Sequence, residues 1–128
     1  MADLIIASGG IKSTSGDGIG YNVGAGGAVT QITSKATTVI LNKICGDITT
    51  HNAVLNAGVI VSFTLTNSCI AATDSLILNH ISGGTVGSYL LNSQPAAGSA
   101  VINIRNTTAG NLTEAIVIRY TVIKSVIT

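Results

Sequence analysis

The stretch Val59-Ile60-Val61-Ser62-Phe63-Thr64-Leu65-Thr66 carries a large apolar side chain at every odd position and, after Ile60, a hydroxyl at every even one. A period of two is the mark of a strand with one dry and one wet face. Val59, Val61, Phe63 and Leu65 are therefore expected to face a core. The same alternation in Val101-Ile102-Asn103-Ile104-Arg105 turns Ile102 and Ile104 inward and Arg105 outward. In Ala115-Ile116-Val117-Ile118-Arg119-Tyr120-Thr121-Val122-Ile123 both faces carry apolar groups, which predicts a strand covered on two sides.

Outward from these strands, β-branched runs alternate with clusters of Gly, Asn, Asp, Ser or Pro, the signature of strands and turns. Strands are expected near 26–33, 36–42, 44–50, 59–66, 75–82, 86–92, 99–106 and 114–125. Reversals are marked by Asn56-Ala57-Gly58, Ser82-Gly83-Gly84, Gln94-Pro95-Ala96-Ala97-Gly98 and Ala109-Gly110-Asn111. Asn52 to Asn56 is too short for a stable helix. About eight short strands with this spacing predict an all-β fold, a jelly-roll-like antiparallel β-sandwich. Its domain spans residues 31–128, preceded by a Gly-rich arm over residues 1–30.

The arm holds Gly9, Gly10, Gly16, Gly18, Gly20, Gly24, Gly26 and Gly27, whose backbone entropy opposes ordering in isolation. A plain linker would lack Ile5, Ile6, Ile11, Ile19, Tyr21 and Val23. Those six side chains need a surface to pack on. The arm either folds onto its own domain or reaches a neighbouring subunit.

Charge is what the chain lacks. Of 128 residues, 9% are charged and 46% hydrophobic, where soluble domains carry about 25% charged residues. A compact monomer of this mass exposes roughly 6,000 Å², or about one charge per 570 Å². Such a surface is short of solubilising groups. The apolar runs Leu4 to Ala7 and Ala115 to Ile118 fall far below the roughly 20 residues of a spanning helix, so no membrane partner is expected. Lys12, Lys35, Lys43, Arg105, Arg119 and Lys124 are scattered at a net charge of +1, which argues against nucleic acid as a partner. Met1-Ala2-Asp3 does not open as a secretion signal does. Cys45 and Cys69 are expected as free, mostly packed thiols.

Catalytic chemistry lacks its groups. The acids are Asp3, Asp17, Asp47, Asp74 and Glu114, with no two adjacent in sequence, and Asp47 and Asp74 stand where a carboxylate caps a turn or strand edge. His51 and His80 have neither metal-site spacing nor enough companions for zinc. Gly24-Ala25-Gly26 lacks the third glycine of a dinucleotide fingerprint, and no Gly-Lys pair forms a phosphate loop. Asn106-Thr107-Thr108 and Asn111-Leu112-Thr113 match the glycosylation pattern but read as turn chemistry. With one Phe, three Tyr and no Trp, a stacking platform for sugars or bases is poorly supplied, and Tyr21, Tyr89 and Tyr120 are expected in core or interface. No catalytic, metal or cofactor site is expected, and the chain is read as non-enzymatic.

A neutral surface, an arm rich in exposed-type isoleucines and a doubly apolar last strand belong together if identical copies cover one another, since permanent interfaces are core-like and exclude charge. A tight homo-oligomer follows, with a trimer favoured.

Several words in the chain resemble those of small tailed-bacteriophage virion structural proteins. They are Gly20-Tyr21, Gly24-Ala25-Gly26-Gly27, Val29-Thr30-Gln31, Thr33-Ser34-Lys35, Phe63-Thr64-Leu65-Thr66-Asn67-Ser68, Ile70-Ala71-Ala72-Thr73-Asp74, Asn79-His80, Ser82-Gly83-Gly84-Thr85, Arg105-Asn106 and Glu114-Ala115. The resemblance spans nearly the whole chain and lies on turns and strand edges. It implies a jelly-roll trimer of the head decoration, or cement, type: made in the host bacterial cytoplasm, seated on the outer capsid and bound to the major capsid protein through the arm. Three linked arms would raise the effective concentration of each later contact. A trimeric tail-needle or fibre knob recognising host-surface glycans is the alternative, because such folds serve both roles. Light scattering of the purified chain at micromolar concentration should return an oligomeric mass, and a stable soluble monomer would count directly against this reading.

Overall fold

The computed structural model describes residues 10–128. Ile5 and Ile6 of the arm lie outside the described residues. Eight strands form: β1 (Gly26–Thr30), β2 (Val39–Ile40), β3 (Cys45–Thr49), β4 (Ile60–Thr66), β5 (Ser75–Ser82), β6 (Tyr89–Ala96), β7 (Ser99–Asn106) and β8 (Val117–Ile123). They make two four-stranded sheets, β1-β3-β8-β5 and β2-β4-β7-β6. Among the described residues there is no helix, and none long and apolar enough to cross a membrane. β1 runs parallel to β3 and β2 parallel to β4, while the remaining pairs are antiparallel.

The core lies between the sheets. Ile48, Ile118, Tyr120 and Val122 enter from the first sheet, and Phe63, Leu65, Ala100, Ile102 and Ile104 from the second, all buried. As the alternation requires, Arg105 points out. Val61 is half-buried and packs against the core. Val59 departs from expectation: it is 46% exposed, because it precedes β4 and its N–H closes a turn onto the Asn56 carbonyl. β8 departs too. Its inner face is dry, but Arg119 and Ile123 on the outer face are exposed, so a single layer covers it.

Other boundaries move for local reasons. The strand expected over 36–42 shrinks to two residues because Ser34 and Thr37 close a turn, with the Thr37 N–H on the Ser34 carbonyl and the Ser34 N–H on Thr37 Oγ1. The turn expected at Gln94 and Pro95 lies later, at Ala97 and Gly98. Pro95 sits inside β6, an edge strand, where a missing N–H breaks no ladder bond if it faces outward. The first strand occupies the last five residues of the Gly-rich stretch, and residues 10–25 carry no strand. β1 comes close to β3 at Gly46, where an added Cβ would stand 2.6 Å from the Gly27 carbonyl oxygen and 2.9 Å from Leu41 Cδ2.

Buried polar groups pin the strand ends. Asn67 Nδ2 donates to the Lys43 carbonyl at 2.7 Å, and the Tyr120 hydroxyl donates to the same oxygen at 2.8 Å. Asn106 Nδ2 donates to the carbonyls of Leu55 and Gly110. Among the described residues no buried side-chain nitrogen or oxygen lacks a partner. Phe63 is 3% exposed at the centre of the second sheet, so Phe63→Ala should cost about 3–5 kcal/mol, read from the denaturant midpoint.

Candidate interaction surfaces

The outer face of the first sheet is set by register. Gly26, Cys45, Thr121 and Ile77 stand in one row, and Ala28, Asp47, Arg119 and Asn79 in the next. Arg119 grips Asp47 through two parallel bonds, Nε to Oδ1 at 2.8 Å and Nη2 to Oδ2 at 2.9 Å. That fork holds the Asp47 carboxyl below the usual carboxylate range. Over this face runs the end of the arm, tied by the Tyr21 hydroxyl, which donates to the Val122 carbonyl at 2.5 Å. Between arm and sheet lies an open groove of about 660 Å³, bordered by Ile19 and Tyr21 on one side and Ile77, Arg119 and Ile123 on the other. Cys45 lines its floor, and both cysteines are free and half-buried.

The arm residues expected to bind a partner remain uncovered. Ile11 is 56% exposed, Ile19 71%, Tyr21 46% and Val23 102%. The Tyr21 bond, with the Lys43 ammonium donating to the Gly24 carbonyl at 3.2 Å, therefore places the arm without burying these side chains.

The outer face of the second sheet is flatter in chemistry. Ile60, Arg105 and Leu90 form one cross-strand row, and all three are exposed. The next row is an amide chain: Ser62 Oγ donates to Asn103 Oδ1 at 2.6 Å, and Asn103 Nδ2 donates to Asn92 Oδ1 at 2.6 Å and to Gln94 Oε1 at 2.8 Å. Arg105 is the one charged side chain on this face, and among the described residues it has no ion-pair partner. Alternation marks Ser62, Asn92 and Asn103 as outward, but only the strand register joins them, and register is not written in a single strand.

Glu114, Lys35, Asp74 and both histidines are engaged in local structural contacts. Glu114 accepts from the Thr85 N–H at 2.6 Å, the Thr85 hydroxyl at 3.1 Å and the Tyr89 hydroxyl at 2.8 Å. Burial pushes its pKa up, but these donors and the nearby Lys35 charge outweigh that and hold it below its ordinary value. Burial, then the hydrogen bond to Glu114 and last the Glu114 charge, raises the Tyr89 phenol. The loop Ser82 to Thr85 fits here only with glycine: at Gly84, with φ +62°, a Cβ would stand 2.6 Å from Ile116 Cγ2. Lys35 is buried, and its ammonium donates to the carbonyls of His51 and Glu114. Desolvation lowers its pKa despite the attraction of Glu114. His51 Nδ1 accepts from the Ala53 N–H, and His80 Nε2 bonds the Gly83 carbonyl at 2.6 Å. His80 also packs edge-on against Tyr89, with ring centroids 5.6 Å apart. Among the described residues no three of His, Cys, Asp and Glu gather as metal ligands would.

Asp74 accepts from Lys124 Nζ at 2.6 Å and from the Ala71 N–H at 2.8 Å, which depresses its pKa in that order of cause. Asp47, Asp74 and Glu114 thus all have folded pKa values below their unfolded ones. Their contribution is present above the unfolded values and is lost as pH falls through the folded ones. The urea midpoint should hold level from pH 8 to about 5 and then fall, and Asp74→Asn should flatten part of that fall.

Searches against protein-family models, curated proteins and solved structures find no match to this chain.

Proposed function

We propose that this chain is a non-enzymatic decoration, or cement, protein of a tailed-phage capsid. It forms a homotrimer that binds the outer surface of the major capsid protein lattice and stabilises the head. It is made in the host bacterial cytoplasm and ends on the virion. The observation that carries the reading is a sandwich with nearly neutral faces joined to a tethered segment whose Ile11, Ile19, Tyr21 and Val23 stay in solvent. A free-standing protein gains nothing from such a segment, whereas a lattice offers it an apolar seat.

The strand order supports a jelly-roll-like reading of the sandwich. β3 pairs with β8 and β4 with β7, while β5 and β6 lie side by side where the two sheets meet. These nested partners are what a folded-over hairpin leaves when it wraps into two sheets. The engaged carboxylates support a structural role, since Asp47, Asp74 and Glu114 each serve a local contact. Occupation at a three-fold position would let three arms bind together, so that modest contacts add into firm attachment.

Purified protein added to heads that lack it should bind saturably, in multiples of three copies, and raise the temperature at which the heads break open. Val23→Asp should weaken that binding by about tenfold while leaving the circular dichroism of the β-fold intact. Absence of head binding would overturn the proposal, and attachment to host cells in its place would favour a glycan-recognising fibre knob.

A further inference from the structure

Two four-stranded sheets have four rims, β1 and β5 in the first and β2 and β6 in the second. Three of them are closed to further pairing. β2 is two residues long. β5 lies beside β6 where the sheets meet, and β6 carries Pro95, the one proline of the chain. β1 differs: Gly26-Gly27-Ala28-Val29-Thr30 holds no charge and no proline, its register runs without a bulge, and among the described residues it pairs with β3 alone. Short length, charge, proline, bulges and cover are the devices that protect a sheet rim, and β1 has none of them.

Its open side is chemically complete. The Gln31 N–H donates to the Thr49 carbonyl, so the odd-numbered residues turn their main-chain groups toward β3 and Gly26, Ala28 and Thr30 turn theirs outward. All three are exposed. Among the described residues no bond from outside the sheet reaches their N–H or carbonyl groups. Leu41 and Lys43 approach β1 from the core side, at Gly27. The arm leaves Gly26 across the sheet instead of along its rim, with the Tyr21 hydroxyl on the Val122 carbonyl of β8 and Ile19 sharing the groove with Ile77 of β5.

We infer that β1 pairs antiparallel with β1 of a second copy, about a two-fold axis at Ala28. The unprotected rim that one copy offers another is this same strand, which makes the pairing symmetric. The strand is also its own complement. Gly26 faces Thr30 of the second copy, Ala28 faces Ala28 and Thr30 faces Gly26, and each pair exchanges two main-chain bonds. On the inner side Gly27 faces Val29 and Val29 faces Gly27, so a large side chain always meets a glycine. No like charges stand opposite one another. Two four-stranded sheets become one, and because an isologous contact consumes the rim on which it forms, pairing stops at two copies. This contact is two-fold and separate from the three-fold contact of the proposed trimer; copies that make both form a hexamer. It does not rest on lattice binding.

The test uses the purified full chain. Sedimentation equilibrium should return an even number of chains. Ala28→Pro removes the central outward N–H without touching a bond to β3, and Ala28→Lys sets two ammonium groups opposite each other on an exposed face. Each should halve the mass and raise the dissociation constant of the contact at least about tenfold, with the circular dichroism of the β-fold unchanged. In Ala28→Cys treated with oxidised glutathione, the introduced thiols should bridge to each other between two chains, since Cα atoms about 5.5 Å apart across such a pair lie within disulfide range. An odd number of chains in the wild type, variants of unchanged mass, or introduced thiols that do not bridge would overturn the inference. Occupation of the rim by residues 1–9 of the same chain or by a head protein would overturn it too, and either would leave the purified mass indifferent to Ala28→Pro. Halving to a trimer upholds this contact and the proposed trimer together, whereas halving to a monomer upholds the contact and overturns the trimer.

Discussion

One carbonyl oxygen ties the two layers together. Lys43 lies between β2 in one sheet and β3 in the other, and its oxygen accepts from Asn67 at the end of β4 and from Tyr120 in the middle of β8. Asn67 Nδ2 also reaches the phenol oxygen at 3.3 Å. Three groups that would each be costly to bury alone satisfy one another where β2, β3 and β4 meet their loops. Burial lifts the Tyr120 phenol well above its ordinary range, so the hydroxyl stays a donor throughout ordinary pH. The crossing of the chain from one sheet to the other is fixed there, and with it the separation at which Phe63, Ile102 and Ile118 pack.

The loops around that core are held by a second set of buried polar groups. Gln31 receives the His51 N–H on its carbonyl oxygen and donates its amide to the carbonyls of Lys35 and Thr37. Lys35 then reaches His51 and Glu114. A lysine costs much to bury, and two carbonyls with a carboxylate nearby offset part of that cost. These contacts hold one end of the sandwich, away from the outer face of the first sheet with its groove and its Asp47–Arg119 pair.

Much of the fold was legible because strands are local. The run from Val59 to Thr66 shows its inward side through alternation alone, and 75–82 and 99–106 are bounded by turn residues at both ends. What escaped depends on partners distant in sequence. Asp47 and Arg119 are 72 residues apart, and nothing in either strand says that they stand opposite. Val59 carries the pattern of a core residue, but a turn bond removes it from the strand. Pro95 reads as a turn because proline usually marks one, and only its place on a sheet edge makes it tolerable within β6. Apolar residues on both sides of β8 predicted a second covering layer, whereas in the single chain the outer side is left to Arg119, Thr121 and Ile123. For the interaction surfaces, the arm's isoleucines could be read from composition, but that the sheets leave Ile11 and Ile19 uncovered emerges only from the fold.

The proline has a consequence for strand-to-strand pairing along the sheet edge. Alternate residues of β7 turn their main-chain groups toward β4, as the Asn67 and Asn106 bonds at either end of that pair show, so the ring nitrogen of Pro95 faces away from the sheet. A ribbon of copies joined rim to rim along β6 would meet a missing donor there. Open-ended strand-to-strand growth is thereby discouraged on that side, which leaves the broad face of the second sheet as the surface a second copy could meet there without a lost backbone donor.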